Sequence, residues 1–577
     1  MSLKAFFEAL EGRLDTLSAD DLRSVLRNMA KSVPPDGRHA FLAQLQPGGK
    51  PEQAIAEALG QDDLLSDIDD LAREVADRMQ SAEEWEEEYR YSDSWDDEES
   101  VGPYEQFTDA ISSLFDRTAG VFDSGNLKLA VEAYRRLLQV FGEEDDYGGG
   151  IDADAIGKSE VAEACARYLR AVYETTPLVE RPAMLFEEMS DIPRLIAGAR
   201  CGIQDVVEIT DRPLPDRDPF LNAWIELLGK EKSPDADRWL REAVRLSGGT
   251  EGLEKLAREH GKKRPLAYGD WLNALNQEGR HREAASGARE ALDDLPADLP
   301  VRAAVADELC VAAERLNDQA LVREAHWQAF AAKPELRRLA DLAGALDARG
   351  ERKDVMRRAA EHVAKRLKSD TRRSASFSHA LDIDPRERSA WVSKSVLAHA
   401  WLLAGEWERA WSLAKKERVL GWSDPETVQS LVLPAFLLAL SGRKPTIPAN
   451  VKGLWEDALH RCTGWMNEIE VPELDRLYEQ AFAATRPPAA LAEKLLTWCR
   501  DIAEKRAVAI VDGKHRKSYW KAALVAAAVA ETLMRRDKKE EATTVLQKLR
   551  ARFPRHRAFL GELRSAESRM GRLFSEL

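Results

Sequence analysis

Apolar side chains recur along this 577-residue chain with the spacing of α-helices and almost nowhere with the alternation of β-strands. Leu22, Val25, Leu26 and Met29 are an example, because positions i, i+3, i+4 and i+7 line one face of a helix. From residue 104 onward, such stretches of 10–18 residues alternate with short breaks of Gly, Asp or Pro. The pattern predicts an all-α fold without a β-sheet.

A turn followed by a helix recurs when the breaks are aligned. The break holds Gly125, Gly279 and Gly405 in three segments, and Asp537 takes the glycine place in a fourth. An alanine follows five residues later each time, and a proline follows 17 residues after Gly279 and Asp537. Glycine permits a tight turn, a small side chain allows close helix packing, and proline ends the second helix. We predict helical hairpins with buried alanines at Ala130, Ala284, Ala410 and Ala542.

These four segments resemble the second half of tetratricopeptide units. Their turns lie 154, 126 and 132 residues apart, not at multiples of the roughly 34-residue tetratricopeptide period, so the predicted hairpin array is degenerate. Residues 166–182, 239–284 and 515–564 also resemble the helical C-terminal region of bacterial SWIM zinc-finger proteins and their uncharacterised relatives. That family binds zinc in a separate C-x-C…C-x-H module. This chain has no C-x-C, so the resemblance implies only the helical scaffold.

Charge and periodicity predict four parts. Residues 1–80 form an N-terminal helical module, and residues 81–103 form an acidic linker. A helical repeat array follows over 104–445, and helical repeats with basic clusters occupy 446–577. The linker is assigned because residues 83–99 hold ten acidic residues and one basic residue, and like charges at helical spacing repel one another.

The acidic segment is unusually aromatic, with Trp85, Tyr89, Tyr91 and Trp95 in 11 positions. Disordered acidic segments are typically poor in aromatic residues. We therefore expect the aromatic rings of this segment to pack against protein. We count Trp85 and Trp95 among the candidate partner-binding residues.

Composition narrows the class of protein. Of the residues, 44% are apolar and 32% are charged, which excludes fibrous and wholly disordered chains. The five cysteines are scattered, as expected in a reducing compartment. Glu8 and Glu11 interrupt any secretory apolar region, and the best apolar run, 431–440, is shorter than the roughly 18 residues that a membrane helix needs. We expect a cytoplasmic protein with no membrane partner and a buried core helix at 431–440.

Motifs for catalysis and cofactor binding are not found. His460 and Cys462 are two residues apart, which places them on different faces of a helix. The glycine-rich stretch 148–159 has Asp152 where a phosphate-binding loop requires glycine. No G-x-S-x-G nucleophile motif occurs. We predict a protein that is not an enzyme, with no catalytic residues, no cofactor and no metal site.

Positive charge near the C-terminus is the strongest functional signal. Residues 1–150 carry a net charge of −20, whereas residues 501–577 carry +8. Clustered cations suit an acidic protein partner, the acidic segment of the chain, or the phosphates of a nucleic acid. The candidate residues are Lys514, Arg516, Lys517, Arg535, Arg536, Lys538, Lys539, Arg552, Arg555 and Arg557.

Stacked helical hairpins form extended surfaces for binding. The leading hypothesis is a non-enzymatic bacterial scaffold that mediates protein–protein interaction. One alternative is a nucleic-acid-associated protein that acts through its basic C-terminal region. Another is a regulatory partner or protease substrate in a bacterial defence system, such as a CRISPR-associated one, with cleavage in the stretch 368–388. The oligomeric state stays open.

Overall fold

The computed structural model describes residues 61–80, 104–143, 150–196, 199–346, 349–370, 392–424, 427–443, 446–463 and 469–570. Within these ranges the regular structure is helical and no β-strand occurs, which confirms the all-α prediction. The chain divides into two compact units, residues 1–252 and 253–577. This division falls inside the predicted array 104–445. The other predicted boundaries border residues outside the described ranges and stay predictions.

The first helix that the structure describes in the first unit buries its apolar face. The described helices of this unit are α1 (Gln61–Gln80), α2 (Thr108–Asp123), α3 (Leu127–Val140), α4 (Ala153–Ile156), α5 (Lys158–Thr175), α6 (Arg181–Leu195), α7 (Ile203–Glu208) and α8 (Arg217–Lys230), and α9 (Pro234–His260) begins in this unit and ends in the second. Helix α1 packs against α2 and α3, and the ion pairs Arg117–Asp67 and Arg136–Asp69, both at 2.6 Å, add to this packing. Gly249 interrupts α9 with a positive φ of 59°. The apolar pattern at Leu22–Met29 and the acidic segment with Trp85 and Trp95 lie outside the described residues.

The second unit is also a succession of short, packed helices. They are α10 (Leu266–Gln277), α11 (His281–Asp294), α12 (Val301–Arg315), α13 (Gln319–Ala332), α14 (Leu336–Gly344), α15 (Arg349–Asp370), α16 (Lys394–Leu403), α17 (Trp407–Ala414), α18 (Gln429–Ser441), α19 (Ala449–Cys462), α20 (Val471–Ala484), α21 (Ala489–Asp512), α22 (Tyr519–Arg535), α23 (Lys539–Arg552) and α24 (Arg557–Arg569).

All four predicted hairpin turns are confirmed. Gly125, Gly279, Gly405 and Asp537 separate α2 from α3, α10 from α11, α16 from α17 and α22 from α23, with φ values of 86°, 76°, 67° and 59°. In each turn the next N–H donates to the carbonyl five residues earlier, at 2.9–3.3 Å, which is the Schellman ending of a helix. The four predicted alanines are at most 1% exposed.

Two further turns of the same kind are not predicted by the glycine–alanine pattern. Asn317 (φ 56°) joins α12 to α13, and Lys514 (φ 55°) follows α21. Each is followed by the same hydrogen bond to the carbonyl five residues earlier. Val322 stands where the pattern has alanine, and the proline 17 residues after Asn317 is present as Pro334. The hairpin α12–α13 is therefore a fifth unit of the predicted type.

The predicted core helix at 431–440 is confirmed within α18, which is buried along almost its whole length. Pro434 lies inside this helix without ending it. None of the helices that the structure describes combines the length and the apolar content that a membrane span requires.

A buried carboxylate links two helices that are far apart in sequence. Glu531, four residues before the end of α22, accepts hydrogen bonds from the N–H groups of Asn450 and Val451, both at 2.9 Å, and from the Asn450 side-chain amide at 2.8 Å. The first N–H groups of a helix have no partner within the helix, and a negative charge is favourable there. Glu531 therefore caps the start of α19, although burial raises the pKa of its carboxyl group.

Candidate functional site

The predicted basic residues lie at two opposite ends of α22. This helix has 17 residues, so its ends are about 25 Å apart. One group, the basic end, lies near the start of α22 and consists of Lys514, Arg516, Lys517, Arg552, Arg555 and Arg557. The other group, the paired end, follows the last residues of α22 and consists of Arg535, Arg536, Lys538 and Lys539.

The basic end is assembled from four helix ends. Arg516 and Lys517 belong to a single 3-10 turn that leads into α22. The guanidinium of Arg552 pairs with Asp512 at 3.1 Å, which brings the end of α23 to the end of α21. The rings of Tyr519 and Phe559 lie 6.0 Å apart, which brings the start of α24 to the start of α22. Cations separated by up to 43 residues therefore share one surface.

Aromatic packing holds the basic end in place. Phe559, Phe553 and Tyr519 are all buried. Phe553 contacts Phe559 edge to face, with ring centroids 5.7 Å apart, and His556 in the same way at 5.3 Å. Edge-to-face pairs of this kind stabilise by about 0.5–1.5 kcal/mol beyond the area they bury. The backbone that carries the cations is therefore fixed without using their charge.

The charge of the basic end is largely uncompensated. Lys514, Arg516, Lys517, Arg555 and Arg557 are exposed, and none forms an ion pair with a residue that the structure describes. Asp512 is already matched by Arg552. The surface is therefore a concentration of positive charge on a rigid support.

An exposed tryptophan borders these cations. Trp520, in the first turn of α22, is 41% exposed, and the Lys521 ammonium lies 5.4 Å from its ring centroid. Tryptophan and arginine are the residues most enriched at the energetic centres of protein interfaces. The sequence does not distinguish Trp520 from its buried neighbour Tyr519, because it does not indicate which of two adjacent rings faces solvent.

At the paired end, the cations are engaged by protein groups. Glu493 on α21 accepts hydrogen bonds from Arg536 at 3.0 Å and from Lys538 at 2.5 Å. The hydrogen bond from Lys538, and next the one from Arg536, hold the pKa of the Glu493 carboxyl below its ordinary value. Arg535 donates to the carbonyl of Thr446 at 2.6 Å. Of the four predicted residues here, Lys539 is the most exposed. The paired end therefore stabilises the packing of α21 against α22 and α23.

The structure also brings together two residues that no sequence motif connects. Cys310 on α12 and His326 on α13 face each other across the Asn317 turn, with Sγ and Nε2 3.5 Å apart. Burial raises the pKa of the Cys310 thiol to about 11 and lowers that of the His326 imidazole. Both groups are neutral at pH 7, so the pair does not resemble the thiolate–imidazolium pair of a cysteine nucleophile. Identification of Asn317 as a turn residue would have revealed the contact.

Comparisons with known proteins provide little information about this site. No protein-family model matches the chain, and no curated protein matches it. One similar solved structure is described as a circular tandem repeat protein with novel repeat topology and enhanced subunit contact surfaces. It is 16% identical, the match covers 90% of this chain and 99% of that chain, and the TM-score is 0.16. With so low a TM-score, the two chains do not superpose as one arrangement, and the likeness says nothing about function.

Proposed function

We propose that this protein is a non-enzymatic helical-repeat scaffold that binds an acidic protein partner through its basic end. The observation that carries the proposal is a surface of five exposed cations, without ion-pair partners among the described residues, beside the exposed ring of Trp520. An aromatic anchor surrounded by charged residues is the usual anatomy of a protein interface.

The support beneath this surface favours binding. The aromatic cluster of Tyr519, Phe553 and Phe559 fixes the helix ends before a partner arrives. A pre-organised surface loses less conformational freedom on association, which improves affinity. Helical hairpins are well suited to this arrangement because each turn presents side chains from two helices.

A nucleic acid is the competing partner for the same cations. The chain carries a net charge of −17, and its calculated isoelectric point is 5.3, whereas nucleic-acid-binding domains are typically basic overall. A protein partner with a locally acidic surface is therefore favoured. The bacterial defence role, cleavage within 368–388, the cytoplasmic location and the resemblance to SWIM zinc-finger proteins stay predictions.

The experiment compares two variants with the same change of net charge. The first is Lys514→Glu/Arg516→Glu/Lys517→Glu at the basic end. The control is Lys255→Glu/Lys262→Glu/Lys263→Glu, three exposed lysines elsewhere. Proteins that co-purify with tagged full-length chain from native cells are quantified by mass spectrometry, with and without nuclease. The affinity for the purified partner is then measured.

We expect the basic-end variant to lose its partner selectively. Reversal of three exposed charges costs about 2 kcal/mol of binding free energy, or roughly 30-fold in affinity. The control should bind within about threefold of the original chain. A partner that both variants retain equally would refute the proposal. If the co-purifying proteins are no longer recovered after nuclease treatment, and if their recovery falls steeply with salt concentration, the surface would be assigned to nucleic acid instead.

A further inference from the structure

Helices α12, α13 and α14 enclose a cavity of about 200 Å³ in the second unit. Its wall contains the thiol of Cys310, the imidazole of His326 and the carboxylates of Asp307, Glu314 and Asp341, together with Arg338, which pairs with Asp307. Val311 lies at its rim and is 42% exposed, so the cavity opens to solvent. Thiol, imidazole and carboxylate are the three side-chain types that bind zinc in proteins.

The separation of the thiol and the imidazole matches an edge of a zinc tetrahedron. Zn–S bonds of about 2.3 Å and Zn–N bonds of about 2.0–2.1 Å, at the tetrahedral angle, place sulfur and nitrogen roughly 3.5–3.6 Å apart. Cys310 Sγ and His326 Nε2 are 3.5 Å apart. A metal ion can therefore bridge the two atoms without movement of α12 against α13.

Glu314 is placed to supply a third ligand. It lies four residues after Cys310 on α12, so the two side chains share one face of the helix. Its carboxylate forms no ion pair with a residue that the structure describes, whereas Asp307 pairs with Arg338 and Asp341 with Arg337. As the side chains stand, no group of three or more histidine, cysteine, aspartate or glutamate residues in the described part of the chain could hold a metal ion. Ligation by Glu314 therefore requires rotation of its exposed side chain.

We propose that this cavity binds a divalent cation of the zinc class, with Cys310, His326 and Glu314 as protein ligands and solvent in the fourth position. On binding, the thiol of Cys310 releases its proton to solvent, and the neutral imidazole of His326 donates its Nε2 lone pair. The site is separate from the basic end and does not depend on its function. It joins α12 to α13, so the ion also stabilises the hairpin at Asn317.

Cobalt is the probe, because a thiolate bound to Co²⁺ gives a charge-transfer absorption that carboxylates and imidazoles do not give. Full-length chain treated with a chelator is titrated with Co²⁺, and Zn²⁺ affinity is measured by competition with a chromophoric chelator. We expect one Co²⁺ per chain with the thiolate band, and displacement by Zn²⁺. Cys310→Ser should abolish the band, and His326→Gln should weaken Zn²⁺ binding by about 100-fold or more.

The matched control is His460→Gln/Cys462→Ser, which changes the same residue types at the neighbouring pair on α19. This variant should bind Co²⁺ like the original chain. Glu314→Gln tests the third ligand at an exposed position, where a folding defect is not expected, and should lower Zn²⁺ affinity by at least about tenfold. A thiolate band that is absent, that survives Cys310→Ser, or that disappears in the control would overturn the proposal. Unchanged affinity in Glu314→Gln would overturn the assigned ligand set.

Discussion

The two ends of α22 carry similar cations and use them differently. At the paired end, Arg536 and Lys538 share the carboxylate of Glu493. At the basic end, buried aromatic rings do the packing, and five cations have no ion-pair partner among the described residues. The comparison shows that the count of positive residues in a segment does not measure the charge available to a partner. What matters is whether a carboxylate from another helix lies beside them.

The test with the largest expected effect removes the aromatic support of the basic end. Phe559→Ala deletes a fully buried ring that contacts both Tyr519 and Phe553. We expect it to cost roughly 3–5 kcal/mol of local stability. Hydrogen exchange of the amides in α22 and α24 measures this without assuming a single unfolding step. Arg557→Ala, an exposed change two residues earlier, is the control and should stay within about 0.5 kcal/mol. A loss below about 1 kcal/mol for Phe559→Ala would mean that the rings do not hold this end.

The second test removes the carboxylate of the paired end. Glu493→Gln breaks two partly exposed ion pairs, so we expect a loss of about 0.5–1 kcal/mol at pH 7. The pKa of Glu493 is lowered in the folded chain, so its contribution is present above the unfolded pKa of about 4.3 and is lost as pH falls through the folded value. Thermal unfolding from pH 7 to pH 3 should therefore show the two chains converging in acid.

The control for this test is a substitution at the basic end of α22. Asp512→Asn breaks the exposed ion pair with Arg552 and should cost only a few tenths of a kcal/mol. A deficit in Glu493→Gln that is as large at pH 3 as at pH 7 would contradict an electrostatic role for Glu493. An equal cost in Asp512→Asn would remove the distinction between the ends.

The test with the smallest expected effect changes only the salt concentration. Raising NaCl from about 0.05 to 0.5 M screens attractions and repulsions between exposed charges. At the paired end, attraction is lost, so the free energy of local opening should fall by a few tenths of a kcal/mol. At the basic end, salt relieves the repulsion among like charges, so the free energy of local opening should rise slightly there. Hydrogen exchange of residues 543–546 in α23 and 561–564 in α24 reports both changes, because these N–H groups, unlike those of the first turns, have partners within their helices. A shift of the same sign in both would contradict the comparison.

Local chemistry predicted the hairpins where the turn residue was recognisable. The Gly125, Gly279, Gly405 and Asp537 turns could be placed because glycine and, less often, aspartate tolerate positive φ. Asn317 was overlooked because Val322 replaced the expected alanine, and Lys514 because lysine rarely occupies such a turn. The pattern therefore found the turns that follow the common chemistry and missed those in which only the backbone geometry is shared.

The arrangement of the candidate sites depends on contacts that a linear pattern does not contain. Glu493 lies 43 residues before Arg536, on a different hairpin, so nothing near Arg536 in the sequence reveals its partner. Cys310 and His326 are 16 residues apart and meet only because Asn317 reverses the chain between them. Sequence identified the basic residues, and the helix lengths and turn positions decided which of them share a surface.

The cap that Glu531 places on α19 has a consequence for synthesis on the ribosome. Asn450 is translated 81 residues before the carboxylate that completes the first turn of its helix. At about 5–20 residues per second, roughly 4–16 s pass between the two. During that interval the first N–H groups of the nascent α19 have only water as a partner, and α22 is not there to cover its apolar face. Slow codons between positions 450 and 531 would lengthen this interval, and faster translation there would shorten the time in which chaperones or other nascent chains can bind the exposed helix.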